Sequence, residues 1–456
     1  MSYILEIVTM MVCFIEAMIS VLQYIDIIKP YGSFTAGSFD NVAGLCSCLA
    51  ISFPLGFDFY DKMKHYKKVL FISCKAVCIL PIILYESRIC ILCVFINVTL
   101  LVCKKRRIRH ELWATVLLAV FLITIFALSS VKTGSTRGRL FIYERTFDMI
   151  KEKPIQGWGR NGFVKEYMNY QESFFRTHPE HDACSLAGDI RHPLSDYLLI
   201  WVEHGSIAIL LVLLLISLFF IYSLKSDNGN YSNRLIITSI IIIATFSYPF
   251  SYPFTWVMLI YAFVNEFKGH FVKARRFICN YPIIFVALLL IGEYSVYKKV
   301  LLEKEWKIVI QRSKYPFTKN LISQYASLYQ KMHDSPEFLY NYSSVLYEME
   351  NYSQALVFAM ESLSKASNYN VCLLIADIYR ESGEMNKSIL YFEKAHYMCP
   401  SRITPLYGIF SIYRQNSQTI QGRQIAIRIL AMPDKVKSRE SEQIRQDLYD
   451  YISHNH

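Results

Sequence analysis

Long apolar runs alternate with short polar connections over the first 300 residues of the chain. A helix needs about 20 apolar residues to cross a bilayer, and fewer when neighbouring helices bury it. By this measure the sequence predicts nine spans, at residues 4–25, 42–57, 69–85, 89–103, 112–128, 197–222, 235–250, 254–267 and 281–297. The pattern therefore predicts a polytopic bundle of transmembrane helices.

Beyond residue 300 the apolar positions recur with the period of amphipathic helices. Residues 341–363 are echoed by residues 371–400 at a spacing of about 34 residues, with Ala355 and Ser388 at matching positions. Weaker copies flank this pair at residues 318–332 and 404–430. The spacing resembles tetratricopeptide repeats, so we predict a helical repeat array with a concave face that offers a protein partner a surface.

Composition supports this division. The chain is 53% hydrophobic and only 19% charged, with a mean hydropathy of +0.26, which is typical of membrane proteins. The 33 tyrosines and 30 phenylalanines indicate interfacial belts and repeat cores, and most of the twelve cysteines lie in apolar runs and indicate no disulfide. We predict an all-α protein with a transmembrane domain at residues 1–300, containing a polar loop at 131–196, and a soluble repeat domain at 301–456.

Charge sets the predicted orientation. The net charge of +11 comes largely from basic connections at residues 61–68, 104–110 and 268–276, which all fall on one side of a nine-span chain. Basic residues near span ends stay in the cytoplasm and contact anionic lipid, so membrane topology explains the charge and no nucleic-acid partner is expected. The N-terminus is then cytoplasmic, and the polar loop and the repeat domain are periplasmic.

Polar side chains from distant parts of the chain converge on the predicted outer face. Asp40 and Asn41 precede the second span, Arg88 begins the fourth, and His192 precedes the sixth. Three further arginines, Arg137, Arg139 and Arg145, follow the fifth span in the polar loop. Cationic and titratable groups gathered at a membrane face indicate a functional site.

Four blocks on this face follow the order of motifs in a known family. They are a turn and small-residue span at 35–55, the Ser-Arg start YESRICIL at 85–92, a Gly-Arg helix with its Gly-Trp-Gly turn at 138–163, and the histidine segment RHPLSDYLLIWVEHG at 191–205. In these blocks the chain resembles the superfamily of O-antigen ligases and polymerases, which are multispan bacterial glycosyltransferases. Ser195 and Asp196 stand where that family usually has Asn and Glu.

The resemblance implies a bundle similar to other membrane glycosyltransferases of the GT-C type, an undecaprenyl (polyprenyl) diphosphate-linked glycan as donor, inversion at the sugar carbon, and no cofactor or metal. His192 would be the general base that activates an acceptor hydroxyl. The predicted diphosphate-binding residues are Arg88, Arg139, Arg137 and Arg145, and the predicted supporting residues are Glu203, Asp40 and Asn41. On one helix Arg139 and Arg145 would point in nearly opposite directions, so both cannot reach one phosphate.

Several alternatives remain open at this stage. The acceptor is the lipid A core for a ligase, another glycan unit for a polymerase, or a protein side chain for an oligosaccharyltransferase. His178, His181 and Cys184 lie close in sequence, but Pro179 follows the first histidine and no second ligand pair is present, so we predict no zinc site. A transporter or a membrane-anchored repeat scaffold is the rival class, although the sequence shows no symmetry between halves.

Overall fold

The computed structural model describes residues 2–29, 36–106, 133–225, 231–266, 298–313, 319–433 and 438–454. Every regular element in those ranges is a helix, so the all-α prediction is confirmed for them. The predicted spans at 112–128 and 281–297, the basic connection at 268–276 and most of the one at 104–110 lie outside the described residues.

The α-helices are numbered in chain order. They are α1 (Ser2–Tyr24), α2 (Val42–Ser52), α3 (Phe57–Tyr60), α4 (His65–Leu84), α5 (Arg88–Arg106), α6 (Thr133–Glu152), α7 (Gly162–Thr177), α8 (Asp196–Lys225), α9 (Tyr231–Phe246), α10 (Pro253–Glu266), α11 (298–312), α12 (Lys319–Met332), α13 (Pro336–Glu348), α14 (Tyr352–Lys365), α15 (Tyr369–Glu381), α16 (Met385–Met398), α17 (Thr404–Gln415), α18 (Thr419–Ala431) and α19 (Arg439–His454). Two compact units contain them, the first formed by Met1–Thr133 with His192–Asn280 and the second by Gly134–Arg191 with Tyr281–His456.

The first unit is an apolar helix bundle built around α2. This helix has only 11 residues and buries nearly all of them, because small and apolar side chains occupy every face. Asn41 caps its N-terminus by accepting a hydrogen bond from the Gly44 N–H. It ends at Ser52, earlier than the predicted span at 42–57, because Pro54 follows and Gly56 turns the chain with φ of 85°.

Two helices among the described residues are long and apolar enough to cross a membrane, at Ile4–Tyr24 and Asp196–Ser223. Both are largely uncovered by the rest of the bundle and expose leucine, isoleucine and valine side chains. Three shorter apolar helices accompany them, at Val42–Ser52, Arg88–Val102 and Tyr231–Phe246. The nine-span arrangement therefore stays a prediction.

Carboxylates within the apolar unit have protein partners, as an apolar setting requires. Glu6 is 5% exposed and accepts a hydrogen bond from the Tyr261 hydroxyl at 2.5 Å. Glu266 pairs with Arg234 at 2.6 Å where both side chains are nearly buried. The first contact joins α1 to α10, and the second joins α9 to α10. Together they hold these three helices in place.

The C-terminal helices of the second unit form successive antiparallel pairs, α13 with α14, α15 with α16 and α17 with α18. The residues that end the first helix of each pair in the left-handed conformation are Glu350, Gly383 and Ser417, with φ of 59°, 80° and 54°. Their separations of 33 and 34 residues match the spacing in the sequence. The structure therefore repeats at the same interval as the apolar pattern.

The helices within a pair cross at small residues. Ser343 Oγ donates to the carbonyl of Ala355 at 2.7 Å in one pair, and Ser388 Oγ donates to the carbonyl of Ala376 at 2.7 Å in the next. The serine and the alanine have exchanged helices, but the crossing is the same. Alanine and serine are needed there because larger side chains would separate the two backbones.

The segment at residues 134–191 packs on these repeated helices. Helix α7 contacts α16, and buried Gln171 donates to the carbonyls of Met398 at 2.5 Å and Gly188 at 2.9 Å. Arg191 pairs with Glu337 at 2.9 Å. Within the second unit, the repeated helices therefore hold the polar loop by their own side chains and backbone.

Candidate active site

His192 lies in a tight turn immediately before α8. The backbone N–H of Leu194 donates a hydrogen bond to Nδ1 of His192 at 3.0 Å. Leu194 has φ of 57°, a left-handed conformation that branched side chains rarely adopt and that often marks a functional turn. The imidazole is 16% exposed, so the ring is held by backbone and still meets solvent.

Asp196 is the carboxylate beside the imidazole. Its Oδ1 lies 3.4 Å from Nε2 of His192, and its Oδ2 accepts a hydrogen bond from the Phe250 N–H at 3.1 Å. The Asp196 N–H donates to the Ser247 carbonyl at 3.3 Å. A carboxylate that is 6% exposed requires such partners, and they tie the histidine turn to residues 247–252, which we call the tyrosine loop.

The tyrosine loop joins α9 to α10 and forms an aromatic wall. The Tyr248 ring lies 4.7 Å from the His192 ring, and the Tyr252 ring stacks with Tyr248 at 6.4 Å between centroids. The Tyr252 hydroxyl donates to Asp40 Oδ1 at 3.1 Å and accepts from Asn41 Nδ2 at 2.6 Å. Burial, with smaller contributions from Tyr248 and Asp40, raises the pKa of the Tyr252 phenol, which keeps it a neutral donor.

Two side chains of α1 hold the turn that carries Asp40 and Asn41. Glu16 accepts hydrogen bonds from the Ser38 N–H at 2.9 Å and the Ser38 hydroxyl at 2.7 Å. Gln23 accepts from the Gly37 N–H at 2.6 Å, and Gly37 has φ of 61°, which glycine adopts without strain. Helix α1 therefore fixes the position of the turn that carries Asp40 and Asn41.

Gly44 makes room for the tyrosine loop against α2. A Cβ atom built at this position would lie 2.2 Å from Cζ of the Tyr252 ring, far inside contact distance. The close approach explains why the ring reaches Asp40 and Asn41 at the start of the same helix. The structure thus brings together three predicted residues, His192, Asp40 and Asn41, through Tyr248 and Tyr252.

Arg88 begins α5, as predicted, and its side chain is half-buried. Glu86, with φ of 53°, turns the chain sharply between α4 and α5. Helix α5 packs against α2 and α9. Asn41 lies at the N-terminus of α2, and the tyrosine loop follows the C-terminus of α9. Arg88 therefore lies at the N-terminus of a helix that packs against α2 and α9.

The three loop arginines lie on α6, in the second unit. Arg137 and Arg139 are exposed. Arg145 is 14% exposed, pairs with Asp148 at 3.0 Å, and places its guanidinium 4.0 Å from the centre of the Phe174 ring. Arg139 and Arg145 therefore differ in exposure, and the contact of Arg145 with Phe174 attaches α6 to α7.

Glu203 is half-buried in α8, close to Gly205, whose φ of 76° and ψ of −176° interrupt the helix. The Trp201 Nε1–H donates to the Ser206 hydroxyl across this break at 3.1 Å. Glu203 therefore lies next to a kink in the first part of α8.

The histidines and cysteine of the polar loop make contacts of their own. His178 stacks on Phe174 with centroids 4.7 Å apart, and Nδ1 of His181 accepts from the Ala183 N–H at 3.1 Å. Cys184 Sγ donates to the Pro179 carbonyl at 3.2 Å. No group of three or more metal-ligating side chains occurs within the ranges that the structure describes.

Sequence reasoning missed Asp196, Tyr248 and Tyr252 as members of the site. The available signal was the segment SYPFSYPF at residues 247–254, in which two tyrosines each precede a proline between two apolar runs. Its tyrosines resembled the many others expected at a lipid interface. The contact of Tyr252 with Asp40 joins residues 212 positions apart, so no local pattern could indicate it.

A comparison with protein families gives a match. The family model described as O-antigen ligase matches residues 74–213, which run from α4 through the histidine turn into α8. No curated protein matches the chain. The matched region contains Arg88, Arg139 and His192, so over these residues the chain is similar to the O-antigen ligase family.

Proposed function

We propose that this protein transfers a glycan from a polyprenyl diphosphate carrier to a hydroxyl of the lipid A core at the periplasmic face of the inner membrane. The observation that carries the proposal is the arrangement around His192, where a solvent-reachable imidazole is held by backbone, a buried carboxylate and an aromatic wall. His192 and Asp196 lie in the region that matches the O-antigen ligase model, and the aromatic wall lies beyond it in the sequence.

In this proposal His192 takes the proton of the acceptor hydroxyl as its oxygen attacks the anomeric carbon of the donor. The carbon–oxygen bond to the diphosphate breaks on the opposite side, so the configuration inverts. General-base catalysis of this kind contributes roughly 10²- to 10⁴-fold in rate. The aromatic wall formed by Tyr248 and Tyr252 supports a role in receiving a sugar ring.

Arg88 and Arg139 are the proposed ligands of the donor diphosphate, with Arg137 as a further contact. A guanidinium presents paired N–H donors to phosphate oxygens and stabilises the negative charge that develops as the diphosphate leaves. The half-buried setting of Arg88 and the exposure of Arg139 support binding and release of a lipid-linked substrate. Glu203, Asp40 and Asn41 are proposed to support the site.

The paired C-terminal helices are proposed to be tetratricopeptide-like repeats in the periplasm. Their interval of 33 or 34 residues supports this assignment. The contacts of Gln171 and Arg191 with these helices support a role in holding the polar loop, in addition to any protein partner.

The test is complementation of a strain that lacks the gene, with the wild-type protein, His192→Ala, Arg88→Ala and Arg139→Ala. We expect the wild type alone to restore glycan on the lipid A core, while all four proteins reach the membrane in equal amounts. Restored glycan chain length or protein glycosylation would instead assign the polymerase or protein-transferase reaction. Full complementation by all three variants would show that the protein is a scaffold or transporter.

A further inference from the structure

The surroundings of His192 distinguish its two nitrogens. The Leu194 N–H points at Nδ1 from 3.0 Å, so this nitrogen carries a lone pair and the hydrogen of the neutral ring is assigned to Nε2. Nε2 in turn faces Asp196 Oδ1 at 3.4 Å. This is the reverse of the arrangement in a serine protease triad, where the carboxylate holds Nδ1 and Nε2 accepts the proton.

Resting on the proposed function, we infer that Nδ1 of His192 accepts the proton of the acceptor hydroxyl and that Asp196 is the positioning residue that holds the ring through Nε2–H. The oxygen of the acceptor forms a bond to the anomeric carbon, and the electron pair of the broken carbon–oxygen bond leaves with the diphosphate. The released proton goes to Nδ1. The resulting imidazolium keeps its Nε2–H directed at the Asp196 carboxylate, which offsets the new charge.

The Leu194 N–H must be displaced before the acceptor can reach Nδ1. Its hydrogen bond holds the nitrogen while no acceptor is bound, and the left-handed φ of 57° at a leucine makes this turn less stable than an ordinary one. An acceptor hydroxyl that donates to Nδ1 replaces the lost bond. The Leu194 N–H therefore occupies Nδ1 until an acceptor hydroxyl replaces it.

Asp196 is suited to this role because its own position is fixed independently of His192. Its Oδ2 accepts from the Phe250 N–H at 3.1 Å, and its backbone N–H donates to Ser247 at 3.3 Å. Only Oδ1 is directed towards the ring. Nε2 is buried and makes no hydrogen bond in this structure, and Oδ1 at 3.4 Å is the carboxylate oxygen placed to accept one. In our inference the contact tightens into a hydrogen bond once the ring becomes charged, since catalytic hydrogen bonds are often long before substrate binds.

Steady-state kinetics of the purified full-length protein test the role of Asp196. Asp196→Asn keeps an oxygen for the Phe250 N–H but removes the charge, so a merely structural role predicts nearly normal transfer. We expect kcat to fall roughly 10²-fold with KM for the lipid-linked donor changed less than about twofold, and Asp196→Glu to recover part of the loss. Asp58→Asn is the matched control, because Asp58 also accepts a backbone N–H, from Ser232 at 3.1 Å, elsewhere in the bundle.

Nuclear magnetic resonance tests the assignment of the nitrogens without any transfer reaction. In protein labelled with ¹⁵N-histidine, the signals absent from His192→Ala identify His192, and at a pH where the ring is neutral we expect the hydrogen on Nε2. A hydrogen on Nδ1 would overturn the inference. So would normal kcat in Asp196→Asn when His192→Ala is inactive, whereas full activity of His192→Ala would overturn the proposed function itself.

Discussion

At the scale of single residues, the site depends on side chains that are small or oriented by backbone. Gly44 leaves the space that the Tyr252 ring fills, and the Leu194 N–H sets the orientation of His192. The sequence indicated His192 because its segment resembles the histidine motif of the O-antigen ligases, and it indicated Asp40 and Asn41 because they precede a span on the predicted outer face. It could not identify Tyr252, because its partners Asp40 and Asn41 come from a distant segment. Asp196 lies only four residues after His192, but its other contacts, with Ser247 and Phe250, are distant in sequence.

Gly44→Ala should separate the tyrosine loop from α2. The added Cβ would lie 2.2 Å from the Tyr252 ring, so the ring must move and lose its hydrogen bonds to Asp40 and Asn41. We expect glycan transfer to fall roughly 10-fold or more, since small displacements at a site have such effects. Gly188→Ala is the control, because no atom lies within 4 Å of a Cβ there, and equal activity of the two variants would contradict the account.

His396 makes the stability of the repeated helices depend on pH. Burial, assisted by Arg428 at 3.0 Å, lowers the pKa of His396 from 6.5 to about 4, so the folded state favours the neutral ring. Its contribution of about 3 kcal/mol is present above pH 6.5 and is lost as the pH falls towards 4. Hydrogen exchange of α16 in the full-length protein should show this loss.

Asp377 titrates over part of the same pH range, because burial raises the pKa of its carboxyl to about 6. Its effect on stability has the opposite sign, so His396→Gln is needed as the comparison. The difference in protection between wild type and variant isolates the histidine. A difference that stays constant between pH 7 and pH 4 would show that His396 is not a buried neutral ring.

At the scale of elements, apolar runs predicted helix positions well and helix ends less well. Capping residues and prolines decide the ends, and α2 stops at Ser52 although its apolar run continues to residue 57. The repeat interval was readable in the sequence because each pair needs a small residue at its crossing and a turn after its first helix. The packing of α7 on α16 was not readable, because it depends on buried Gln171 and on backbone carbonyls.

Gln171→Leu should loosen the polar loop from the repeated helices. It leaves the buried carbonyls of Met398 and Gly188 without their donor, at a cost of about 1–3 kcal/mol. We expect faster hydrogen exchange in both α7 and α16. Gln443→Leu, at an exposed position on α19, is the control, and a change confined to α7 would contradict the docking.

At the scale of the whole molecule, the chain combines an apolar bundle with a unit of paired helices that holds the polar loop. Composition and hydropathy predict an apolar part and a polar helical part, since the two differ in their apolar patterns, but they do not predict that residues 134–191 group with the paired helices. The same patterns predict orientation only through the basic connections, most of which lie outside the described residues.

The proposed orientation places the polar loop in the periplasm. Arg160 is exposed in this loop, so Arg160→Cys should react in intact cells with a maleimide that cannot cross the inner membrane. Wild-type protein, which lacks a cysteine at position 160, is treated with the same maleimide to measure the background labelling of the native thiols. Labelling only after the inner membrane is opened would place the loop in the cytoplasm and rule out the proposed site.

Transfer of glycan by the purified protein, compared between His192→Ala and His181→Ala, tests the central claim most directly. Both histidines accept a backbone N–H at Nδ1, but Asp196 and Tyr248 accompany His192. We predict that His192→Ala lowers transfer roughly 10²- to 10⁴-fold while His181→Ala stays close to wild type. Undiminished transfer by His192→Ala would contradict the account.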